Sequence, residues 1–447
     1  MCTRKIQDKA VVILAAGRGR RLKKDGRPKP LTKFLGVPLI ERSIRAFYSC
    51  GAREFYIITG YRHDEVEAFL KRLSTRLKGA TITWIYNERW KEGNGTSFLK
   101  GAPLPQKDFI LTMCDHVFSK DLITKALDTA PPQNGMALFV DKRLDNPTID
   151  RADATKVRLE DGSIKAVGKD LHYYSGYDTG LFICSKDVYK AIVTLDPEHE
   201  LGLSTIFQWL SERGLTRAME IEEGFWADLD DLSAFKRAEK ALLMLVQGKA
   251  HDGPISRFLN RPISIRITSL LVNTPITPNQ VTILSFSLAI MASFLMTLGS
   301  YLWFALGGIM VQVASIIDGC DGEIARLKWQ QTEYGAWLDA VLDRYADAFL
   351  IGAITWHVAN HQALGNTGWL LGTVALAGSL INSYTADKYD GWMKKMKRAQ
   401  RFRLGRDVRL FLVFISGLAY RPVELLIMLA GIMNTENVRR MWKLRAA

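Results

Sequence analysis

Asp318-Gly319-Cys320-Asp321-Gly322-Glu323-Ile324-Ala325-Arg326, followed by Gly335, Asp339 and Asp343, sets four aspartates inside an otherwise apolar half of the chain. Asp318 and Asp321 are three residues apart and Asp339 and Asp343 four, so each pair lies on one helical face. A carboxylate inside a membrane costs roughly 2.5–3.5 kcal/mol even on insertion scales. Four of them demand compensation, and oxygen-only ligands suit a divalent cation such as magnesium, manganese or calcium. Gly319, Gly322 and Gly335 remove side chains where a ligand or a second helix comes close. The bland alternative is a solvated acidic hairpin, and the flanking apolar runs argue against it.

Those runs form six candidate spans, roughly 278–298, 301–327, 334–357, 369–388, 408–420 and 423–438. The segments after Leu298 and around 357–368 carry no Lys or Arg, whereas 388–409 and the tail with Arg439, Arg440, Lys443 and Arg445 are strongly basic. With the first half in the cytoplasm, six spans put every basic segment on the inside, as the positive-inside rule asks. Much of the net charge of +14 is accounted for in this way, without nucleic acid as a partner. The spacing Asp-x-x-Asp-Gly-x-x-Ala-Arg, then Gly, Asp and Asp, resembles the signature of the CDP-alcohol phosphotransferases. That resemblance implies an all-α six-helix transmembrane bundle, dimeric, with a two-metal site open to the cytoplasm and cytidine as the carried base. It implies metal on Asp318, Asp321 and Asp339, and Asp343 as a further ligand and general base. Gly319, Gly322, Ala325 and Arg326 would line the CDP site. Thr277-Pro278-Asn279-Gln280-Val281-Thr282 also resembles the family's start of the first span. Lys388, Arg406 and Arg409 stand near the cytoplasmic ends of later spans and are candidates for an acceptor phosphate; ordinary positive-inside charge accounts for most of that segment.

The first half obeys a different solvent. Residues 9–14 read as a buried strand that runs into Ala15-Ala16-Gly17-Arg18-Gly19-Arg20-Arg21-Leu22. Glycines after a strand let backbone N–H groups approach phosphates, and the arginines add charge there. Pro28-Lys29-Pro30-Leu31 and Gly36-Val37-Pro38-Leu39-Ile40 follow. These three ordered pieces resemble the nucleotidyltransferases that join an NTP to an alcohol phosphate, which implies an α/β Rossmann-like mixed sheet. Two anions meet in that reaction, so cations must neutralise them. Ala15, Ala16, Gly17, Gly19, Arg21 and the catalytic Lys29 are expected on the triphosphate. Gly93-Asn94-Gly95-Thr96-Ser97 reads as a polar loop for base and ribose, with Gly93, Gly95 and Thr96 in contact. A carboxylate at the C-terminal end of strand 109–113 stands where open α/β sheets bind ligands. By resemblance Asp115 is a magnesium ligand, Asp228 is taken as the second, and Lys169 as the clamp on the acceptor phosphate. His116 reads as a structural loop histidine.

The organisation expected is therefore residues 1–247 as a cytosolic nucleotidyltransferase domain, 248–277 as a linker with an amphipathic interfacial helix, and 278–447 as the membrane domain. Arg257, Arg261 and Arg266 in the linker are expected to snorkel toward headgroups. Five scattered cysteines read as reduced thiols, and the charged start of the chain gives no secretory signal. The order of domains resembles bifunctional enzymes that make CDP-inositol from CTP and inositol 1-phosphate, then transfer it to a second inositol 1-phosphate. Magnesium or manganese at both sites, a bilayer, a homodimer and cytoplasm-facing sites come with that resemblance. The residues alone do not select inositol over choline or glycerol phosphate, nor a soluble over a lipid acceptor, and a domain that only binds is the remaining rival.

Overall fold

The apolar run Ala10–Ala15 (β1) is buried along its whole length because it occupies the middle of a nine-stranded sheet. The computed structural model of the chain describes residues 8–22, 26–160, 162–193, 201–247, 252–395 and 405–445. Two units can be told apart, Met1–Leu242 and Leu243–Ala447. The division falls inside the helix Leu232–Val246, which sequence reading assigned wholly to the first domain.

The other strands of the sheet are Glu54–Thr59 (β2), Thr81–Tyr86 (β3), Phe109–Met113 (β4), Met136–Asp141 (β5), Lys156–Glu160 (β6), Ser163–Gly168 (β7), Gly176–Cys184 (β8) and Thr216–Ile221 (β9). Their order is β7-β6-β8-β4-β1-β2-β3, with β5 on β8 and β9 on β5. β1 lies parallel to β2 and β4, whereas β8 runs antiparallel to β4, so the sheet is mixed. Phe98 and Ala102, with Ile206, Phe207 and Leu210 of the helix Leu203–Glu212, cover Val12, Leu14, Phe109, Leu111 and Phe182. The parallel pairing brings the ends of β1 and β4 side by side: Cys114 N–H donates to Leu14 O at 3.0 Å. The glycine loop and Asp115 thus share one edge of the sheet.

The second unit is helical. Its six long helices are Pro278–Met296 (α1), Tyr301–Leu327 (α2), Glu333–His361 (α3), Gly365–Lys395 (α4), Arg406–Ala419 (α5) and Pro422–Arg445 (α6). Thr277 opens α1 with a reciprocal cap shared with Gln280. Ala292, Met296, Phe304, Val311, Ile354, Val358, Val413 and Leu426 form its core. By length and composition α1 and α2 suffice to cross a membrane. α4 continues to Lys395, so the first part of the basic segment 388–409 is helix and not loop. Arg439 and Arg440 of the basic tail pair with Glu436, and Arg440 is buried.

The helix Arg261–Leu271 departs from expectation. Its polar side faces inward. Arg261, Ser264 and Thr268 are buried and donate to the carboxylate of Glu323 on α2, at 3.0, 2.8 and 2.7 Å. Arg261 also pairs with Asp252 at 2.9 Å. It therefore does not snorkel outward, and residues 261–271 are part of the helical unit rather than a linker. The outward side carries Ile263 and Leu270, the latter 75% exposed, and Phe258 in the preceding turn Ser256–Asn260 is 78% exposed. Burying a carboxylate is tolerable only because three donors saturate it. Glu323→Ala leaves the buried Arg261 short of a partner, so it is expected to destabilise the helical unit by about 3–5 kcal/mol. Thermal unfolding of the purified chain in detergent measures this.

Candidate functional site

The site in the first unit is built by a short strand pair. His116–Phe118 runs antiparallel to Trp226–Asp228, with His116 opposite Asp228. Asp115 sits just before this pair, and one ligand atom from each of Asp115, His116 and Asp228 lies within 4.8 Å of the others. The bulge in β8 completes the fit: Gly180 takes φ +70°, and a Cβ there would stand 2.4 Å from the His116 ring. His116 Nδ1 and Asp115 Oδ1 are 2.8 Å apart, so His116 belongs to the cluster and is more than a structural histidine.

Lys29, on the single turn Lys29–Leu31, pairs with Asp115 and, at 2.5 Å, with Asp230. A Cβ at Gly19 would meet the Cβ of Lys29 at 2.7 Å, so only glycine lets the lysine pass under the loop. Burial works against the Lys29 ammonium, but Asp115, Asp230 and Asp228 outweigh it and hold it well above the ordinary lysine value. Burial likewise disfavours ionised Asp115, but Lys29 and His116 win and keep it well below the usual carboxylate range. Asp228 is different. Burial, only partly offset by His116, pushes it up to about 7, and its Oδ1 is buried without a hydrogen-bond partner. His116, despite burial, is pushed up to about 9 by Asp228 and Asp115. The orphaned Asp228 oxygen beside Asp115 fits a hard divalent cation, which would take both carboxylates and polarise a phosphate oxygen.

These groups line a cavity of about 560 Å³, with Ala16, Gly17, Gly19, Lys29, Gly93, Lys169 and Asp178 on its walls. That is room for a small ligand of nucleotide size. Lys169 stands across the cavity, bonded at 2.6 Å to Asp153, which also pairs with Arg21. Arg21 reaches Asp230 at 3.3 Å. These pairs are about half exposed, worth about 0.2–1 kcal/mol, and a phosphate can displace Asp153 at little cost. Two expected nucleotide contacts are corrected. Asn94–Gly101 is a helix, not a loop, and Thr96 turns inward to Arg89 O, Gly93 O and Asn87. Gly95 N–H donates to Leu201 O at 2.9 Å, so Gly95 is a packing position. Ala15 is buried as the last residue of β1.

In the helical unit Asp318 and Asp321 of α2 meet Asp339 of α3, one oxygen from each within 4.8 Å of the others. Thr282 of α1 donates to Asp321 at 2.6 Å and Ser285 to Asp318 at 3.2 Å, which orients the two carboxylates. Three converging carboxylates with hydroxyl support fit a divalent cation by donor type. Asp343 is not brought into that group: Arg406 Nη1 holds its Oδ1 at 2.6 Å and reaches Asp318 at 3.4 Å. Asp318, Asp343, Arg406, Thr282 and Ser285 line a cavity of about 20 Å³ whose far walls are apolar. Arg409 is buried, paired at 2.8 Å with Asp347, and does not line that cavity. Gly319 O accepts from Arg261 at 3.1 Å, and a Cβ at Gly319 would lie 3.0 Å from that guanidinium, so Gly319 makes room for the helix Arg261–Leu271. Arg326 donates to Val246 O at 2.7 Å, and Gly322 and Ala325 are half-buried on α2. The side chain of Lys388 lies outside the described residues. Sequence reasoning missed Asp153 and Asp347, and passed over Asp230 in favour of Asp228 in the same segment. Of the two missed, only Asp347 carried a local signal, as the third member of the four-residue repeat Asp339, Asp343, Asp347.

Residues 11–172 match the MobA-like NTP transferase domain and residues 275–435 the CDP-alcohol phosphatidyltransferase family. Fold and sites thus define an enzyme in which a nucleotidyltransferase domain is followed by a membrane-type CDP-alcohol phosphotransferase domain. The chain is 34% identical over 437 residues to the bifunctional IPC transferase and DIPP synthase of Rubrobacter xylanophilus, covering 97% of this chain and 96% of that one. Identity to the Aquifex aeolicus protein of the same description is 33% over 444 residues, covering 97% and 98%. The second half alone is 28% identical to an archaetidylinositol phosphate synthase of Pyrococcus horikoshii, over 38% of this chain and 83% of that one. The chain belongs to the family of bifunctional IPC transferases and DIPP synthases.

Magnesium is expected to stabilise the first unit, by about 2.7 kcal/mol at a hundred times its dissociation constant. Asp228→Asn should lose that increment, and thermal unfolding with and without magnesium reads it directly.

Proposed function

We propose that the first unit joins CTP to inositol 1-phosphate. A phosphate oxygen of inositol 1-phosphate attacks the α-phosphorus of CTP, the bond to the β-phosphate breaks, and diphosphate leaves. The glycine loop 16–19 receives the phosphates, Lys29 neutralises them, and Lys169 and Arg21 exchange Asp153 for the acceptor phosphate. Asp115 and Asp228 would hold magnesium, which supplies charge neutralisation at the reacting phosphorus. The second unit then consumes the CDP-inositol. A hydroxyl of a second inositol 1-phosphate attacks the phosphorus that carries inositol, the bond to CMP breaks, and di-inositol phosphate phosphate is released. Asp343, outside the three-carboxylate group and facing the cavity, takes the hydroxyl proton. Asp318, Asp321 and Asp339 would hold the cation of this site, and Arg406 meets the acceptor phosphate.

The observation that carries this reading is the presence of both carboxylate clusters, Asp115–His116–Asp228 and Asp318–Asp321–Asp339, in one chain similar to bifunctional relatives over 97% of its length. The six helices α1–α6 form a multi-pass bundle, with the first unit and both sites facing the cytoplasm and the outward apolar side of 257–271 at the membrane surface. Two copies pair through the membrane domain. The second reading is a lipid-linked CDP donor, favoured by the resemblance of the second half alone to an archaetidylinositol phosphate synthase. A lipid-linked donor would leave the product of the first site unused, which favours the soluble one.

Purified protein in detergent with CTP, inositol 1-phosphate and magnesium is expected to yield CDP-inositol, CMP and a phosphorylated di-inositol phosphate by mass spectrometry. CDP-inositol without the third product would turn the second step toward a lipid. Lys29→Ala should lower CDP-inositol formation roughly 100-fold or more. Asp343→Ala should lower consumption of supplied CDP-inositol by about 10²–10⁴-fold and leave its formation intact. Full activity in either variant would sink that assignment.

A further inference from the structure

Asp347 lies four residues beyond Asp343 on α3, outside the aspartate motif, and is 3% exposed. Its carboxylate is shared between two arginines. Oδ1 accepts from Arg406 Nε at 3.1 Å and Oδ2 from Arg409 Nη2 at 2.8 Å. Arg409 is itself fixed to α4, donating to Ser379 O at 3.0 Å and Ser383 Oγ at 2.9 Å. Arg406 is the exception in this series, because its Nη1 reaches into the cavity toward Asp343 and Asp318. Charges therefore alternate from the cavity wall to α4: Asp343, Arg406, Asp347, Arg409.

We propose that Asp347 is a positioning residue for the second reaction, holding Arg406 by Nε so that its Nη edge faces the acceptor's phosphate. The proposal rests on the two-step reading above. A guanidinium is a rigid planar fork, so fixing Nε sets where the Nη groups point. The contacts of Arg406 to Asp318 and Asp343 are made with groups that change partners when cation and substrate arrive. Asp347 neither lines the cavity nor belongs to the three-carboxylate group, so its hold on Arg406 persists through that exchange. Arg409 in turn keeps Asp347 from turning toward the cavity, where a further anion would repel the acceptor. A pair that merely fastened α3 to α5 would affect stability and leave substrate affinity alone.

The full-length chain is assayed in detergent with supplied CDP-inositol and varied inositol 1-phosphate, comparing wild type, Asp347→Asn, Arg406→Lys and the double variant. Asp347→Asn is expected to raise KM for inositol 1-phosphate about tenfold or more, the scale of a hydrogen bond to a charged group. Half-saturating magnesium should not move. Residues acting as one unit are non-additive, so the double variant should be no worse than the worse single. An unchanged KM, multiplying effects, or a loss confined to melting temperature and kcat would overturn the proposal. Stabilisation against heating by inorganic phosphate is measured alongside, and both single variants should lose the same part of the wild-type increment. If wild type makes no product from CDP-inositol and inositol 1-phosphate, the two-step reading fails. Asp347 is then judged by the phosphate increment, and its full retention in Asp347→Asn overturns the assignment.

Discussion

Negative charge held partly or wholly away from bulk water is the constraint on which both halves of this chain are built. A buried carboxylate must find a cation or several donors, because nothing else replaces its hydration. In the first unit Asp115, Asp228 and Asp230 converge on Lys29 and His116, and one Asp228 oxygen is left without a partner. In the second, Asp318, Asp343 and Asp347 converge on Arg406, with Arg409 behind. Asp321 is supported by Thr282 and lies with Asp318 and Asp339. In each unit the carboxylates outnumber these basic side chains. That surplus, held rigidly, is what makes a divalent cation the fitting complement.

The two units reach this arrangement by different geometry. The sheet collects its acids from distant stretches, since parallel pairing of β1 and β4 sets one loop beside another and a two-strand ladder adds Asp228. The helical unit uses the period of the helix, which puts residues three and four apart on one face. It follows that the second site is written locally and the first is not. The cavities differ in the same sense. The first is about 560 Å³, whereas the second, lined by Asp318, Asp343 and Arg406 together with apolar residues, is about 20 Å³.

Much of this was legible in the sequence. The glycine loop, Lys29, Asp115 and the spaced aspartates could be read because each depends on near neighbours. Six of the helices were located from apolar length alone, but α4 and α6 run on to Lys395 and Arg445, past the expected ends at 388 and 438, because apolar length does not mark where a polar helical extension stops. What escaped reading depends on long-range pairing. His116 faces Asp228 only because two strands more than a hundred residues apart are antiparallel. Asp153 is drawn to the site only through Arg21 and Lys169. The helix Arg261–Leu271 was misread for a different reason. Amphipathic patterning assumes that polar side chains face water, and here Arg261, Ser264 and Thr268 face a buried glutamate while Leu270 faces outward. The same helix accounts for Gly319, whose missing side chain admits Arg261.

Lys29 and Arg406 also have a common logic. Each cation sits where substrate charge is to arrive, and each is held by acids that a metal ion would otherwise take. Lys29 on Asp115 and Arg406 on Asp318 therefore offset part of the negative charge of their sites before ligands bind. A divalent cation held by Asp115 and Asp228, or by Asp318, Asp321 and Asp339, would supply charge neutralisation and free Lys29 or Arg406 toward a phosphate. The balance requires that the released cation not drift away. Lys29 keeps Asp230, and Arg406 keeps Asp347. Both retaining acids lie outside the carboxylate groups that fit metal. A site of this kind needs one acid more than its metal does, and in both units the chain supplies it.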